Sequence, residues 1–288
     1  MDNEPIISHW TKATPKSTSP KLGRVSLVGA GPGDADLLTV KALRCLQNAE
    51  VIIYDRLVSE AICALFPPTA LALYVGKAKG EHSVPQESIN DLLVEKARLG
   101  LNVCRLKGGD AFVFGRGGEE MLALKQAGID VEVIPGITAG AGCTAYAGIP
   151  LTHRGLSQGC TFVTAHAEKE LDIHWQSLAQ LNHTLVFYMG LSKSQLISDE
   201  LMAAGLSGNT PAAIIEHGCS SRQRVIQGQL NHLSQLVAKH QLQPPSLIVV
   251  GEVVSLADKL AWFNTQAKPT ALNEQTFVEP ISKMQKRA

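Results

Sequence analysis

Three segments of this chain are so dense in glycine that they read as exposed main chain: Gly29-Ala-Gly-Pro-Gly-Asp34, Gly108-Gly-Asp-Ala-Phe-Val-Phe-Gly-Arg-Gly-Gly118 and Pro135-Gly-Ile-Thr-Ala-Gly-Ala-Gly142. Each follows a short apolar, β-branched run. Glycine is costly to order and contributes no packing, so its clustering at strand ends makes sense where N–H and C=O groups must come close to something. The middle segment also embeds one acid, Asp110, and then restores charge with Arg116, Glu119 and Glu120.

Around these segments short strand-like runs alternate with amphipathic stretches. Strands are expected over 25–28, 51–54, 71–75, 103–106 and 131–134. Helices are expected over 37–48, 59–66, 86–98 (closed by Gly100) and 119–127 (closed by Gly128). A second series follows Pro135-Gly136: strands at 161–164, 184–188, 212–216, 224–227 and 247–250, with helices around 170–181, 192–204, 230–240 and 255–263. This is α/β grammar. It divides the chain into a flexible extension (1–21), an N-terminal α/β domain (22–135), a C-terminal α/β domain (136–264) and a flexible tail (265–288). Ligands in such sheets sit beyond the carboxyl ends of the strands, and between two such domains the expected pocket is the cleft.

Composition excludes several classes. The 288 residues carry 26 basic and 26 acidic side chains, so no global field is available to hold a polyanion such as RNA. No nucleic-acid partner is expected. Cysteines 45, 63, 104, 143, 160 and 219 show no CxxC or Cys/His ligand spacing; reduced core residues of a cytoplasmic protein are expected, with no metal. His153 and His166 accompany no ligand motif either. Residues 133–152 are uncharged over about a membrane span, but four glycines and two prolines there argue against a membrane segment. That stretch reads either as part of a subunit interface or as a buried linker plus the first helix of the second domain. Nothing at the N-terminus resembles an export signal.

Residues 25–55 imitate a dinucleotide site: strand, GxG turn, helix, second strand and a terminal acid. Two residues break the imitation. Asp34 stands where the third glycine should be and would repel a pyrophosphate, and Pro32 removes an N–H donor from the turn. Acids in the turns suit a cationic cofactor such as S-adenosyl-L-methionine, whose sulfonium is positive and whose ribose and amino-acid ends favour carboxylates and carbonyls. The simpler reading of Asp110 is a turn capped through its own backbone.

The wording of the motifs then becomes specific: VGAGPGD at 28–34, YDRLVS at 54–59, VGK at 75–77 with HSVPQESIN at 82–90, RLKGGDAFVFGRGGEE at 105–120, PGITAGAGCTAYAGIPLTHR at 135–154 and YMGL at 188–191. Together, over about residues 23–263, they resemble the tetrapyrrole methylase family. The resemblance implies two α/β domains, each with an open, mostly five-stranded mixed sheet, an active site in the interdomain cleft, and a homodimer. It implies methylation of uroporphyrinogen III at C2 and C7, giving precorrin-2 via precorrin-1, for sirohaem or cobalamin, with S-adenosyl-L-homocysteine as by-product. Carried over residue by residue, the cofactor contacts are Pro32, Gly108, Gly109, Asp110, Val113, Thr138, Ala139, Met189 and Gly218. Asp55 matches the suggested proton acceptor and Lys77 the suggested donor. From residue type alone, Met189 reads as core packing. Ala111 replaces a common proline, Ala78 an arginine, and His217-Gly-Cys219 the usual NGT. The resemblance does not extend to the dehydrogenase and chelatase module fused to some sirohaem synthases.

A substrate with eight carboxylates needs local cations: Arg56, Lys77, Lys79, Arg105, Lys107, Arg116 and Arg154 lie in or beside the motifs. Several read equally as solvated surface charges; Arg116 and Arg154 are the expected substrate contacts, and Lys79 and Arg105 stay open. His153 reads equally as a carboxylate contact or a structural hydrogen bond. Transfer from a sulfonium releases a neutral thioether, so positioning should dominate. Asp55 then either accepts the proton released after attack or stabilises the cationic intermediate. Rival readings are a methylase for a later corrin intermediate, ribosomal RNA or diphthamide, a nicotinamide oxidoreductase, and a non-catalytic tetrapyrrole carrier.

Overall fold

The computed structural model describes residues 22–76, 84–166 and 173–264. The expected extension at 1–21, the tail at 265–288, and Lys77, Ala78 and Lys79 lie outside the described residues. Two compact units divide between Gly142 and Cys143.

The first unit contains β1 (Arg24–Gly29), α1 (Val40–Gln47), β2 (Val51–Tyr54), α2 (Glu60–Cys63), β3 (Leu71–Tyr74), α3 (Gln86–Arg98), β4 (Val103–Lys107), α4 (Gly117–Gln126) and β5 (Asp130–Ile134). Its sheet runs β3-β2-β4-β1-β5, and all four pairings are parallel. Strand alternation sends Val25, Leu27, Ile53 and Val103 to one face, packed with Leu93 and Leu124 from α3 and α4. Val28, Ile52, Cys104 and Leu106 go to the other, with Leu46 and Ile62 from α1 and α2.

The boundary between units falls within α5 (Ala139–Tyr146). The second unit adds β6 (Gly159–Thr164), α6 (Trp175–Gln180), β7 (His183–Tyr188), α7 (Ser194–Ala203), β8 (Pro211–Glu216), β9 (Arg224–Gln229), α8 (Leu233–His240), β10 (Ser246–Val250) and α9 (Ala257–Leu260). Its sheet, β6-β7-β10-β8-β9, is the mixed one: β6 and β7 are parallel and the other pairings antiparallel.

Both predicted glycine stops adopt left-handed backbone, Gly100 at φ 84° and Gly128 at φ 74°. The helix expected over 37–48 is interrupted. Asp34 caps a short 3₁₀ turn at Ala35–Leu37, and Thr39 Oγ1 accepts from Ala42 N at 3.1 Å to start α1 afresh. A 3₁₀ turn likewise precedes α7, α8 and α9. Within the uncharged stretch, Ile134, Cys143, Thr144, Ala147 and Ile149 are buried.

Candidate functional site

The three glycine segments follow β1, β4 and β5, which are neighbours in the first sheet, so parallel pairing delivers them to one edge. There they meet main chain to main chain. Gly31 N donates to Gly109 O at 3.0 Å and Gly109 N to Gly31 O at 2.7 Å. A Cβ on Gly29 would lie 2.5 Å from Gly136 N, and one on Gly136 would lie 2.5 Å from Gly109 O. No side chain fits at either position. Gly109 itself is left-handed (φ 71°), with only Ala139 N near its missing Cβ, at 3.7 Å. Pro32 packs against Gly142, where a Cβ would come within 2.5 Å of its ring.

Asp110 fastens this junction. Its Oδ1 accepts from Phe112 N (2.8 Å) and Val113 N (2.9 Å), and its Oδ2 accepts from Gly136 N at 3.2 Å. The carboxylate therefore caps its own turn and also ties the segment after β4 to the one after β5. Thr138 O and the start of α5 follow directly, with Thr138 O accepting from Ala141 N and Gly142 N at 3.0 Å. Thus Pro32, Gly108, Gly109, Asp110, Val113, Thr138 and Ala139 lie on converging segments.

Asp55, just after β2, is tied in separately. Its Oδ1 accepts from Leu57 N at 3.0 Å, and its Oδ2 lies 3.6 Å from the Arg105 guanidinium. Arg105 and Lys107, counted above among local cations for substrate, are 3% and 4% exposed. Both converge on Glu120 Oε1, Arg105 Nε at 3.1 Å and Lys107 Nζ at 3.0 Å, joined by Gln86 Nε2 at 3.2 Å. Burial, aided by the neighbouring guanidinium, pushes the Lys107 ammonium below its ordinary value, while Glu120 pulls the other way. Sequence reasoning missed Glu120. The available signal was the spacing of Gly117, Glu120 and Leu124 on α4, the stripe that the structure buries.

Arg116 sits in a tight left-handed turn (φ 58°) that opens α4, near Phe114 (φ 54°). Its guanidinium makes a bidentate, half-exposed pair with Glu119 at 2.8 and 2.7 Å, which holds the Glu119 carboxyl below its ordinary range. In the second unit, β7 and β8 flank β10 and both run antiparallel to it, so they end at the same edge. Met189 ends β7 in left-handed backbone (φ 55°) and is 50% exposed, not packed in the core. After β8, His217 and Cys219 are also left-handed, and a Cβ on Gly218 would strike Cys143 Sγ at 2.4 Å. Arg154 is exposed on the His153–Ser157 turn, and His153 Nδ1 pairs with Arg154 O at 2.9 Å, a local structural bond.

With this geometry in place, the comparisons are specific. The family model for Tetrapyrrole (Corrin/Porphyrin) Methylases matches residues 24–234. A siroheme synthase of Pseudomonas paraeruginosa is 56% identical over 242 residues, which is 84% of this chain and 52% of that protein. Siroheme synthase 2 of Pectobacterium atrosepticum is 54% identical over 244 residues, 85% of this chain and 53% of that one. The chain thus spans about half the length of these curated relatives. Among solved structures, the uroporphyrin-III C-methyl transferase of Thermus thermophilus, crystallised with S-adenyl homocysteine, superposes with a TM-score of 0.70. It is 41% identical and covers 81% of this chain and 93% of its own. A cobalt precorrin-4 methyltransferase gives a TM-score of 0.72 at 27% identity, covering 80% of this chain and 95% of its own. On the family match and on these relatives, the chain belongs to the tetrapyrrole (corrin/porphyrin) methylases.

Proposed function

We propose that this chain is an S-adenosyl-L-methionine-dependent C-methyltransferase that methylates uroporphyrinogen III at C2 and C7, giving precorrin-2 via precorrin-1. The observation that carries the reading is the meeting of three glycine segments at one edge of the parallel sheet, packed main chain to main chain so closely that no side chain fits at Gly29 or Gly136. The donor set fits the cofactor. The junction presents main-chain carbonyls held in place by the Asp110 carboxylate, and Pro32 withholds an N–H that a pyrophosphate would use. Bound there, the cofactor would supply an electrophilic methyl group on a positively charged sulfur. In this reading Pro32, Gly108, Gly109, Asp110, Val113, Thr138 and Ala139 hold it by main chain, with Asp110 fixing the loop. Met189 and Gly218 are assigned to the cofactor, and Arg116 and Arg154 to substrate carboxylates. Lys77, outside the described residues, is assigned as proton donor.

Asp55 takes the proton that the methylated carbon must lose. Its one fixed oxygen and its partial exposure suit a group that must be held and still be reachable. The proposal includes a homodimer working in the cytoplasm with two α/β domains, 22–135 and 136–264. Among the described residues no helix is long and apolar enough to cross a membrane.

The test is incubation with uroporphyrinogen III and methyl-labelled cofactor, counting methyl groups in the product, beside calorimetry with S-adenosyl-L-homocysteine and with NADH. Two methyl groups per tetrapyrrole, and heat from S-adenosyl-L-homocysteine but not from NADH, are expected. Binding of NADH alone, or no label in the tetrapyrrole, overturns the proposal.

A further inference from the structure

We infer that Glu120 is a positioning residue for Asp55, acting through the Arg105 guanidinium. The inference rests on the reading of Asp55 as proton acceptor given above. Glu120 is completely buried on α4, and its two oxygens are used unequally. Oε1 accepts from Arg105, Lys107 and Gln86, whereas Oε2 has no hydrogen-bond partner among the described residues. A buried carboxylate with an idle oxygen is a poor device for stability, since an ion network in the interior rarely outweighs the loss of hydration. What it achieves is orientation.

The guanidinium of Arg105 is fixed on three sides. Nε donates to Glu120, and NH1 donates to the carbonyls of Ile53 (3.3 Å) and Leu106 (3.2 Å), near the ends of β2 and β4. The remaining nitrogen, NH2, faces Asp55 Oδ2 from 3.6 Å, within ion-pair range but beyond a hydrogen bond. Arginine prefers to engage a carboxylate through two parallel bonds. Glu120 holds the fork back from doing so, which leaves Asp55 Oδ2 free of a direct hydrogen bond from Arg105. Among the described residues, the charged groups that act on Asp55 are Arg105 and Lys107 from β4, backed by Glu120 of α4, with exposed Arg56 beside it in sequence. Neutralising Glu120 leaves two buried cations, and among the described residues Asp55 is the acid that Arg105 still faces within ion-pair range. The fork should then close on Asp55 and occupy the oxygen that is to accept a proton.

The experiment compares Glu120→Gln in the wild-type and Asp55→Asn backgrounds, following kcat, KM for uroporphyrinogen III, the pH profile of kcat and calorimetric affinity for S-adenosyl-L-homocysteine. In the wild-type background kcat should fall about 10²-fold, the scale of a small misplacement near the reacting atoms. Affinity for S-adenosyl-L-homocysteine should stay within about twofold. The acidic limb of the profile should move to lower pH, because removing a negative charge beside two cations favours the ionised acceptor. In the Asp55→Asn background the same change should cost less than about twofold further, since there is no acceptor left to displace. Should Glu120→Gln fail to fold, Glu120→Gln with Lys107→Met removes one orphaned cation and still leaves the Arg105 fork unopposed, so the same kcat loss is expected. Unchanged kcat, or equal losses in both backgrounds, overturns the inference while the reaction stands. A wild-type protein that binds S-adenosyl-L-homocysteine but transfers no methyl group overturns the reaction itself and the inference with it.

Discussion

Cys45 lies on the last turn of α1, half-buried, beside the fully buried Cys104 of β4. Hydrogen bonding between the two thiols brings Cys45 down to about 7 against the opposing effect of burial, and pushes Cys104 well above its ordinary value. Arg24, Lys41, Arg44 and Glu132 line the same cavity, about 280 Å³ in volume, which gives a small reagent access to a thiolate stabilised chiefly by the Cys104 hydrogen bond. Cys63 is raised by burial and by Glu60. Iodoacetamide at about pH 7, where Cys45 is already partly thiolate, should therefore modify Cys45 well before Cys63, as peptide mass spectrometry would report; the reverse order would contradict the geometry. This contrast was invisible in the sequence, where all six cysteines read as reduced core residues and Cys160 is in fact exposed. Other residues show the same limit. Residue type suggested a packed Met189 and left Arg105 undecided between a substrate contact and a solvated surface charge, yet the first is half-exposed and the second is interior. Side-chain direction on a strand depends on register, and register is settled by pairing with distant chain.

At the scale of elements, β9 forms the edge of the second sheet and is held to β8 partly by a cross-strand pair, Glu216 opposite Arg224. Arg224 Nε donates to Glu216 Oε2 at 2.5 Å, and Gln243 N donates to Oε1 at 2.6 Å. Chiefly through the bond from Arg224, these interactions hold the Glu216 carboxyl below its ordinary value. A carboxyl depressed in the folded state stabilises fully above the ordinary carboxylate range, and that contribution fades as pH falls through the folded value. Glu216→Gln should thus lower the melting temperature at pH 7, with the gap to wild type closing in melts taken at steps below about pH 4.5, the ordinary value. A gap independent of pH would assign the loss to shape instead of charge. Strands and most helices were legible because apolar alternation and glycine stops act within a few residues, as in α3, found over the expected 86–98. The breaks were not. Thr39 stops the reading of 37–48 as one helix by capping Ala42 N, a choice between two locally acceptable backbones. Pairing direction was out of reach too, so the parallel first sheet and mixed second sheet could be separated only in the fold.

At the scale of the whole molecule, the balance of 26 basic and 26 acidic side chains sets how the proposed substrate, with its eight carboxylates, would be captured. Part of the positive charge near the glycine junction is also withdrawn inward, Arg105 and Lys107 being neutralised by Glu120 and faced by Asp55. What remains outside includes Arg56, Arg154 and Arg116, the last shared with Glu119. A neutral body presents no net charge to a distant polyanion, and the field of a few exposed cations fades within one Debye length, about 8–10 Å at physiological salt. Diffusional steering should therefore contribute little, and recognition should depend on short, partly dehydrated contacts that salt screens poorly. It follows that kcat/KM for uroporphyrinogen III should decline less than about tenfold as ionic strength rises from 0.05 to 0.5 M, whereas electrostatically steered association falls steeply over such a range. Steady-state rates at fixed pH and rising potassium chloride measure this directly. A decline of several orders of magnitude would mean that the exposed cations act together as a strong local field despite the neutral total, and capture would then have to be assigned to long-range attraction instead of to the contacts of individual arginines.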